Sequence, residues 1–132
     1  MGGWPYHYVV PFQEDAEAAL AALRADVFAR GAYYGSAARP RTIKEAVARS
    51  GESGTRSILD IDRVSAVPGS CRAAPLTADE LEKYFGGALP TVQMIEESDG
   101  LWEDLERGQA RYVVAYEGGV PANLVFVGYS FD

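Results

Sequence analysis

The run Arg111–Asp132, RYVVAYEGGVPANLVFVGYSFD, places two stretches rich in Val, Tyr and Phe on either side of Gly118-Gly119. Paired glycines supply the positive φ angles of a tight two-residue connection, so the segment is expected to fold as a C-terminal β-hairpin. Centring the turn there pairs Tyr116 with Pro121, Val114 with Asn123 and Tyr112 with Val125. One side then carries Tyr112, Val114, Tyr116, Val125, Val127 and Tyr129, and the other Val113, Ala115, Leu124 and Phe126. Both sides are apolar, so both need cover, or one needs a partner, and the hairpin is expected to be central or interfacial.

The rest of the chain alternates between the two hydrophobic periods. Trp4–Phe12 alternates Tyr6, Tyr8, Val10 and Phe12 against His7 and Val9, a strand pattern with Pro11 at its end or on an edge. From Asp15 to Arg30 the residues Ala16, Ala19, Leu20, Leu23 and Val27 recur at helical spacing, with acidic residues at the start and Gly31 as the stop. Thr42-Ile43-Lys44-Glu45 and Thr77-Ala78-Asp79-Glu80 carry the capping-box pattern and predict short helices ending near Gly51 and Gly86. Ser57–Val64 reads as a strand, and Thr91–Arg107 as two short helices separated around Ser98-Asp99-Gly100. This order predicts a single α+β domain over residues 1–132. Its sheet, mixed or antiparallel, has about four strands including the C-terminal hairpin, with helices mainly on one face.

Charge and cysteine usage narrow the partners. Twelve basic against nineteen acidic residues give a net charge of −7, which opposes the counterion release that drives nucleic-acid binding. No apolar run approaches the ~20 residues that cross a bilayer, and Met1–Pro5 shows no basic segment followed by an apolar one. The single cysteine, Cys71, leaves no internal disulfide framework and fits a reducing compartment, so a cytoplasmic location is expected.

Candidate chemistry is sparse. His7 is the only histidine, so it alone could serve as an imidazole base, and it has no partner readable in sequence. Asp60 and Asp62, two apart on the expected strand, would share one face and could act as an acid/base pair. His and Cys occur once each, so neither a metal set nor a cofactor is expected. Gly51–Arg56 is small and polar but lacks the order and the lysine of a phosphate-binding loop. Around it Arg39, Arg41, Lys44, Arg49 and Arg56 gather positive charge in an acidic chain, where a small anionic ligand or an acidic partner segment could dock.

Tyrosine is the remaining lead. Tyr6, Tyr8, Tyr112, Tyr116, Tyr129 and Trp102 would converge if the first strand lies beside the hairpin, and Tyr33-Tyr34 precede a loop glycine where contact with another molecule is natural. The chain is therefore expected to be a non-enzymatic protein acting on a protein partner, as an accessory, inhibitor or immunity-type protein, or by self-association. The contact residues expected are Tyr33, Tyr34, Tyr112, Tyr116, Tyr129, Trp102, Arg39, Arg41 and Arg56. The alternative is a small-molecule binder or minor tailoring enzyme with a tyrosine-lined pocket, in which Asp60, Asp62 or His7 supplies acid/base chemistry.

Overall fold

The computed structural model describes residues 3–132, so the opening Met1-Gly2 of the reading for a leader lies outside them. Strand β1 (Pro5–Pro11) leads into helix α1 (Ala16–Ala29), which Asp15 caps by accepting from the Ala18 N–H at 3.1 Å. Helix α2 (Ile43–Ser50) follows a loop, and then come the two-residue strand β2 (Arg63–Val64) and β3 (Arg72–Pro75). Helices α3 (Ala78–Phe85), α4 (Val92–Glu96) and α5 (Asp99–Asp104) precede the hairpin, β4 (Ala110–Glu117) and β5 (Val120–Tyr129). The fold is α+β, as expected, with five strands in the order β1-β5-β4-β3-β2. The pairs β1/β5 and β5/β4 are antiparallel. The pairs β4/β3 and β3/β2 are parallel; α3, α4 and α5 fill the long crossover from β3 to β4, while residues 65–71 alone connect β2 to β3.

The hairpin turns at Gly118 (φ +59°) and Gly119 (φ +78°), both in the left-handed region that the sequence demanded. Its register departs from the expected one. A bulge between Ala115 and Tyr116 inserts one residue, so Tyr112 faces Phe126, Val113 faces Val125 and Val114 faces Leu124. One extra residue transfers every later side chain to the opposite face. Tyr112 and Val114 thus join Leu124 and Phe126 on one side, while Val113 and Ala115 join Val125 and Val127 on the other.

Helices cover both faces rather than mainly one, which answers the two-sided apolar pattern of the hairpin. On the first face α1 lays Ala19, Leu20, Leu23 and Val27 against Tyr6, Leu124 and Phe126, with Ala46 of α2 completing the core. On the second, Ile95 of α4 and Leu101 of α5 pack on Val113, Val125 and Val127. Ser57–Val64 is not a continuous strand: Ser57 to Ile61 are buried in succession, without the alternation of a half-exposed strand. The Ser57 hydroxyl accepts from the Leu59 N–H at 3.2 Å and winds Ile58–Asp60 into a 3₁₀ turn, so that of this segment Arg63–Val64 pair as a strand. Among the described residues no helix is long and apolar enough to cross a membrane.

Candidate functional site

The 3₁₀ turn turns Asp60 inward. It is 5% exposed, and its carboxylate accepts from the Thr55 N–H (2.7 Å), the Thr55 hydroxyl (2.8 Å) and the Ser130 hydroxyl (2.6 Å). With the Thr55 proton committed to Asp60, the Ser57 hydroxyl, 2.8 Å away, donates to Thr55. The result is a buried polar knot of Thr55, Ser57, Asp60 and Ser130, in which three donors offset the desolvation of the carboxylate. Gly54 (φ +74°) is required beside it, since a Cβ there would lie 2.5 Å from Ser130 Oγ and 2.7 Å from Asp60 Oδ2.

The knot ties three surface side chains together through their backbones. Ser130 N–H donates to Trp4 C=O at 2.9 Å, and Tyr34 N–H donates to Thr55 C=O at 2.7 Å. Arg56 N–H donates to Ser130 Oγ at 3.1 Å. Segments from the N-terminus, the loop after α1, the loop before the 3₁₀ turn and the C-terminus therefore meet at one corner. There the Arg56 guanidinium lies between two rings, 4.3 Å from the Tyr34 centroid and 5.0 Å from that of Trp4. Both rings are 51% exposed. Arg56 has φ +55°, a left-handed backbone that costs a non-glycine residue roughly 1–2 kcal/mol and that the knot imposes. Its charge is met only by the exposed Asp132 at 3.6 Å, and its Nε is buried without a partner among the described residues.

A groove of about 260 Å³ adjoins the stack and shares Tyr34 with it; Pro40, Ala46, Arg49, Ser50 and Ser53 are among the other residues of its wall. Arg49 reaches across, donating to Ala38 C=O at 3.2 Å and pairing with Glu45. Arg39, also left-handed (φ +52°), ends the 3₁₀ turn Ser36–Ala38 and is exposed. Arg41 is exposed at the entry of α2, where its N–H donates to the Glu45 carboxylate at 2.8 Å. That bond replaces the second arm of the expected capping box. In α3 both arms form, between Thr77 and Glu80.

The remaining residues singled out from the sequence separate. Tyr33 stacks on Phe28 (centroids 5.8 Å apart, 15° between planes) and is half-buried in the core. Tyr112 packs beside Phe126 on the α1 face, and burial followed by the Glu17 charge raises its phenol pKa. Tyr129 and Trp102 meet edge to face at 5.9 Å on the opposite side of the sheet, where Trp102 also touches His7. Tyr116 lies by the bulge, its N–H donating to Pro90 C=O at 2.8 Å. Tyr6, Tyr8, Tyr33 and Tyr112 share the α1 face, while Tyr129 and Trp102 lie on the other, because the bulge divides Tyr112 from Tyr129.

Of the acid/base candidates, Asp60 and Asp62 border one cleft and His7 lies apart. Asp60 is committed to the knot, whereas Asp62 is exposed and its N–H donates to Cys71 C=O at 2.9 Å. His7 is exposed and bonded to Glu96 at 3.1 Å on the far face. Asp60, Asp62 and Cys71 do line a cleft of about 450 Å³ between α1 and α2, with Arg24, Lys44, Ile43 and Leu59. Arg24 donates to Leu59 C=O at 3.1 Å, and burial lowers its pKa against the opposing pull of Asp62 and Asp60. No tyrosine borders this cleft. Among the described residues no group of His, Cys, Asp and Glu has the arrangement of a metal site.

Trp4, Thr55, Ser57 and Ser130 escape a reading of the sequence alone, since the C-terminus must return beside β1 before they meet. One signal was present: Gly54-Thr55-Arg56-Ser57 sets small hydroxyl residues directly before an apolar triplet interrupted by Asp60, a combination suited to a buried carboxylate. Comparisons with protein-family models, curated proteins and solved structures return no significant match.

Proposed function

We propose that this chain is a non-enzymatic binding protein whose protein partner docks on the Trp4–Arg56–Tyr34 stack. The observation that carries the reading is the stack itself. Trp, Tyr and Arg are the residue types that dominate binding energy at protein interfaces, and here they are exposed, interleaved and held in place by a buried knot. Holding them in the unbound protein lowers the ordering cost of association. Asp132, exposed and 3.6 Å away, holds the Arg56 guanidinium loosely and leaves it able to take a partner carboxylate, and Arg49 lines the adjoining groove.

The partner therefore presents an acidic segment with apolar flanks. A net charge of −7 argues against nucleic acid, and a free Cys71 thiol suits the cytoplasm, where an accessory, inhibitory or immunity-type role would be exercised. Affinity capture from native extract tests the reading. A species held by the wild type is expected to be lost from Trp4→Ala and Tyr34→Ala proteins that keep the wild-type circular dichroism. Equal retention by all three, or no specific species on the wild type, contradicts it.

A second reading has one observation in its favour. The cleft beside α2 is of small-ligand size and carries Arg24 and Lys44 together with Asp60 and Asp62 on a wall of aliphatic side chains, so it suits a small ligand whose carboxylate or phosphate meets the two cations and whose donors meet the carboxylates. Chemical-shift changes confined to Arg24 and Lys44 on titration with phosphate would support it, and their absence would remove it.

A further inference from the structure

The two edges of the sheet are unlike. β2 is two residues long and begins at Arg63, the short charged form that blunts an edge. β1 is seven residues long, Pro-Tyr-His-Tyr-Val-Val-Pro, and has no charged residue apart from what His7 gains on protonation. Its register with β5, together with Ser130 N–H to Trp4 C=O and Phe12 N–H to Ala122 C=O, fixes which backbone groups face inward. Residues 4, 6, 8, 10 and 12 point their amides and carbonyls at β5, so Pro5, His7, Val9 and Pro11 point theirs away from the sheet. Prolines occupy both ends of that outer row, leaving His7 and Val9 as its only N–H donors.

We infer that a second copy of this chain adds to β1 antiparallel about a two-fold axis through Tyr8, joining two five-stranded sheets into one. In this register His7 faces Val9 of the second copy, and the four outward N–H groups meet the four carbonyls of the same residues. Pro5 faces Pro11, so the positions that lack a donor oppose each other at the ends. Sliding the pairing by two residues in either direction sets one of the prolines against His7 or Val9 and strands a carbonyl inside the junction. The centred register is thus the one that overlaps the whole strand and satisfies both residues, and the contact is self-complementary as a two-fold interface must be. Tyr8 meets its own copy across the axis on the α1 face, a cross-strand aromatic pair. Val9, 42% exposed, lies against His7 on the other. The Trp4–Arg56–Tyr34 stack stays beyond the proline ends, so this inference does not rest on its docking role.

Sedimentation of the full chain at micromolar concentration, with residue-resolved amide exchange, tests it. The expected result is a species of twice the 14.3 kDa chain mass in which the His7 and Val9 amides are protected. Val9→Pro, which removes an outward donor and no bond to β5, is expected to sediment at the single-chain mass. A wild-type monomer overturns the inference, as does a dimer whose His7 and Val9 amides exchange as fast as open loops, or a folded Val9→Pro dimer. Should Val9→Pro fail to fold, the exchange pattern of the wild type still decides.

Discussion

Arg56 and Arg111 are both drawn in from solvent, at 32% and 12% side-chain exposure, and the structure treats them in opposite ways. Arg111, on β4, grips Glu80 of α3 with both terminal nitrogens and donates to Ala74 C=O (3.2 Å) and Pro75 C=O (3.0 Å). Every arm of its guanidinium is committed, and it ties a helix to the parallel half of the sheet. Arg56 has a strained backbone, an unpaired Nε, a distant carboxylate and two aromatic faces that it shares with solvent. A guanidinium with every nitrogen engaged over a relaxed backbone is a structural clamp. One held in place at a conformational cost between two exposed rings, its charge met by an exposed carboxylate 3.6 Å away, is prepared for something outside the chain.

The contrast can be broken at several points. The largest effect is expected at the carboxylate beneath the stack. Asp60→Ala strands Thr55 and Ser130 and should lower stability by about 3–5 kcal/mol, seen as a fall in the urea midpoint. If the loss is below about 1 kcal/mol, the knot does not impose the geometry of Arg56. Arg111→Ala comes next, at about 2–3 kcal/mol, because Glu80 and two carbonyls lose their donor together while the stack is untouched.

Acid should reveal the same clamp. The hydrogen bond from Arg111, helped by the Thr77 N–H and opposed by partial burial, holds the Glu80 carboxyl below its ordinary range. A carboxyl depressed in the folded state stabilises above its unfolded pKa, and that contribution is lost as pH falls through the folded one. The urea-midpoint gap between wild type and Glu80→Gln should therefore be open at neutral pH and shrink on acidification. A gap independent of pH would show that the ion pair adds nothing beyond the neutral hydrogen bonds.

The smallest stability effects belong to Arg56. Arg56→Gly should be more stable than Arg56→Ala by about 1 kcal/mol, since only glycine occupies a left-handed backbone without strain. Equal stabilities would mean that the turn relaxes and that no strain is held there.

Much of this architecture was legible in the chain. The hairpin turn, the caps at Thr42 and Thr77, and the alternation of β1 are local signals, and each appears where its residues dictate. The bulge at Ala115/Tyr116 was not legible, because Val113, Val114 and Ala115 are apolar in succession and either register buries an apolar set. Nor was the division of Ser57–Val64: three buried aliphatics surround Asp60, and only the serine bond to Leu59 makes a 3₁₀ turn of them. Of the stack, Tyr34 and Arg56 stood out as a loop tyrosine and one of a basic group. Trp4 and Ser130 acquire their roles from a contact between the two ends of the chain, which no local spacing encodes.

The most direct test is partner retention by Arg56→Ala compared with Arg111→Ala, each with its urea midpoint measured on the same preparation. Arg56→Ala is expected to lose the partner while its stability stays within about 1 kcal/mol of the wild type, the scale of an exposed cation–π contact. Arg111→Ala is expected to lose stability and keep the partner. If Arg56→Ala retains the partner as well as the wild type does, or unfolds as readily as Arg111→Ala, the two arginines do the same work and the stack is not a docking site.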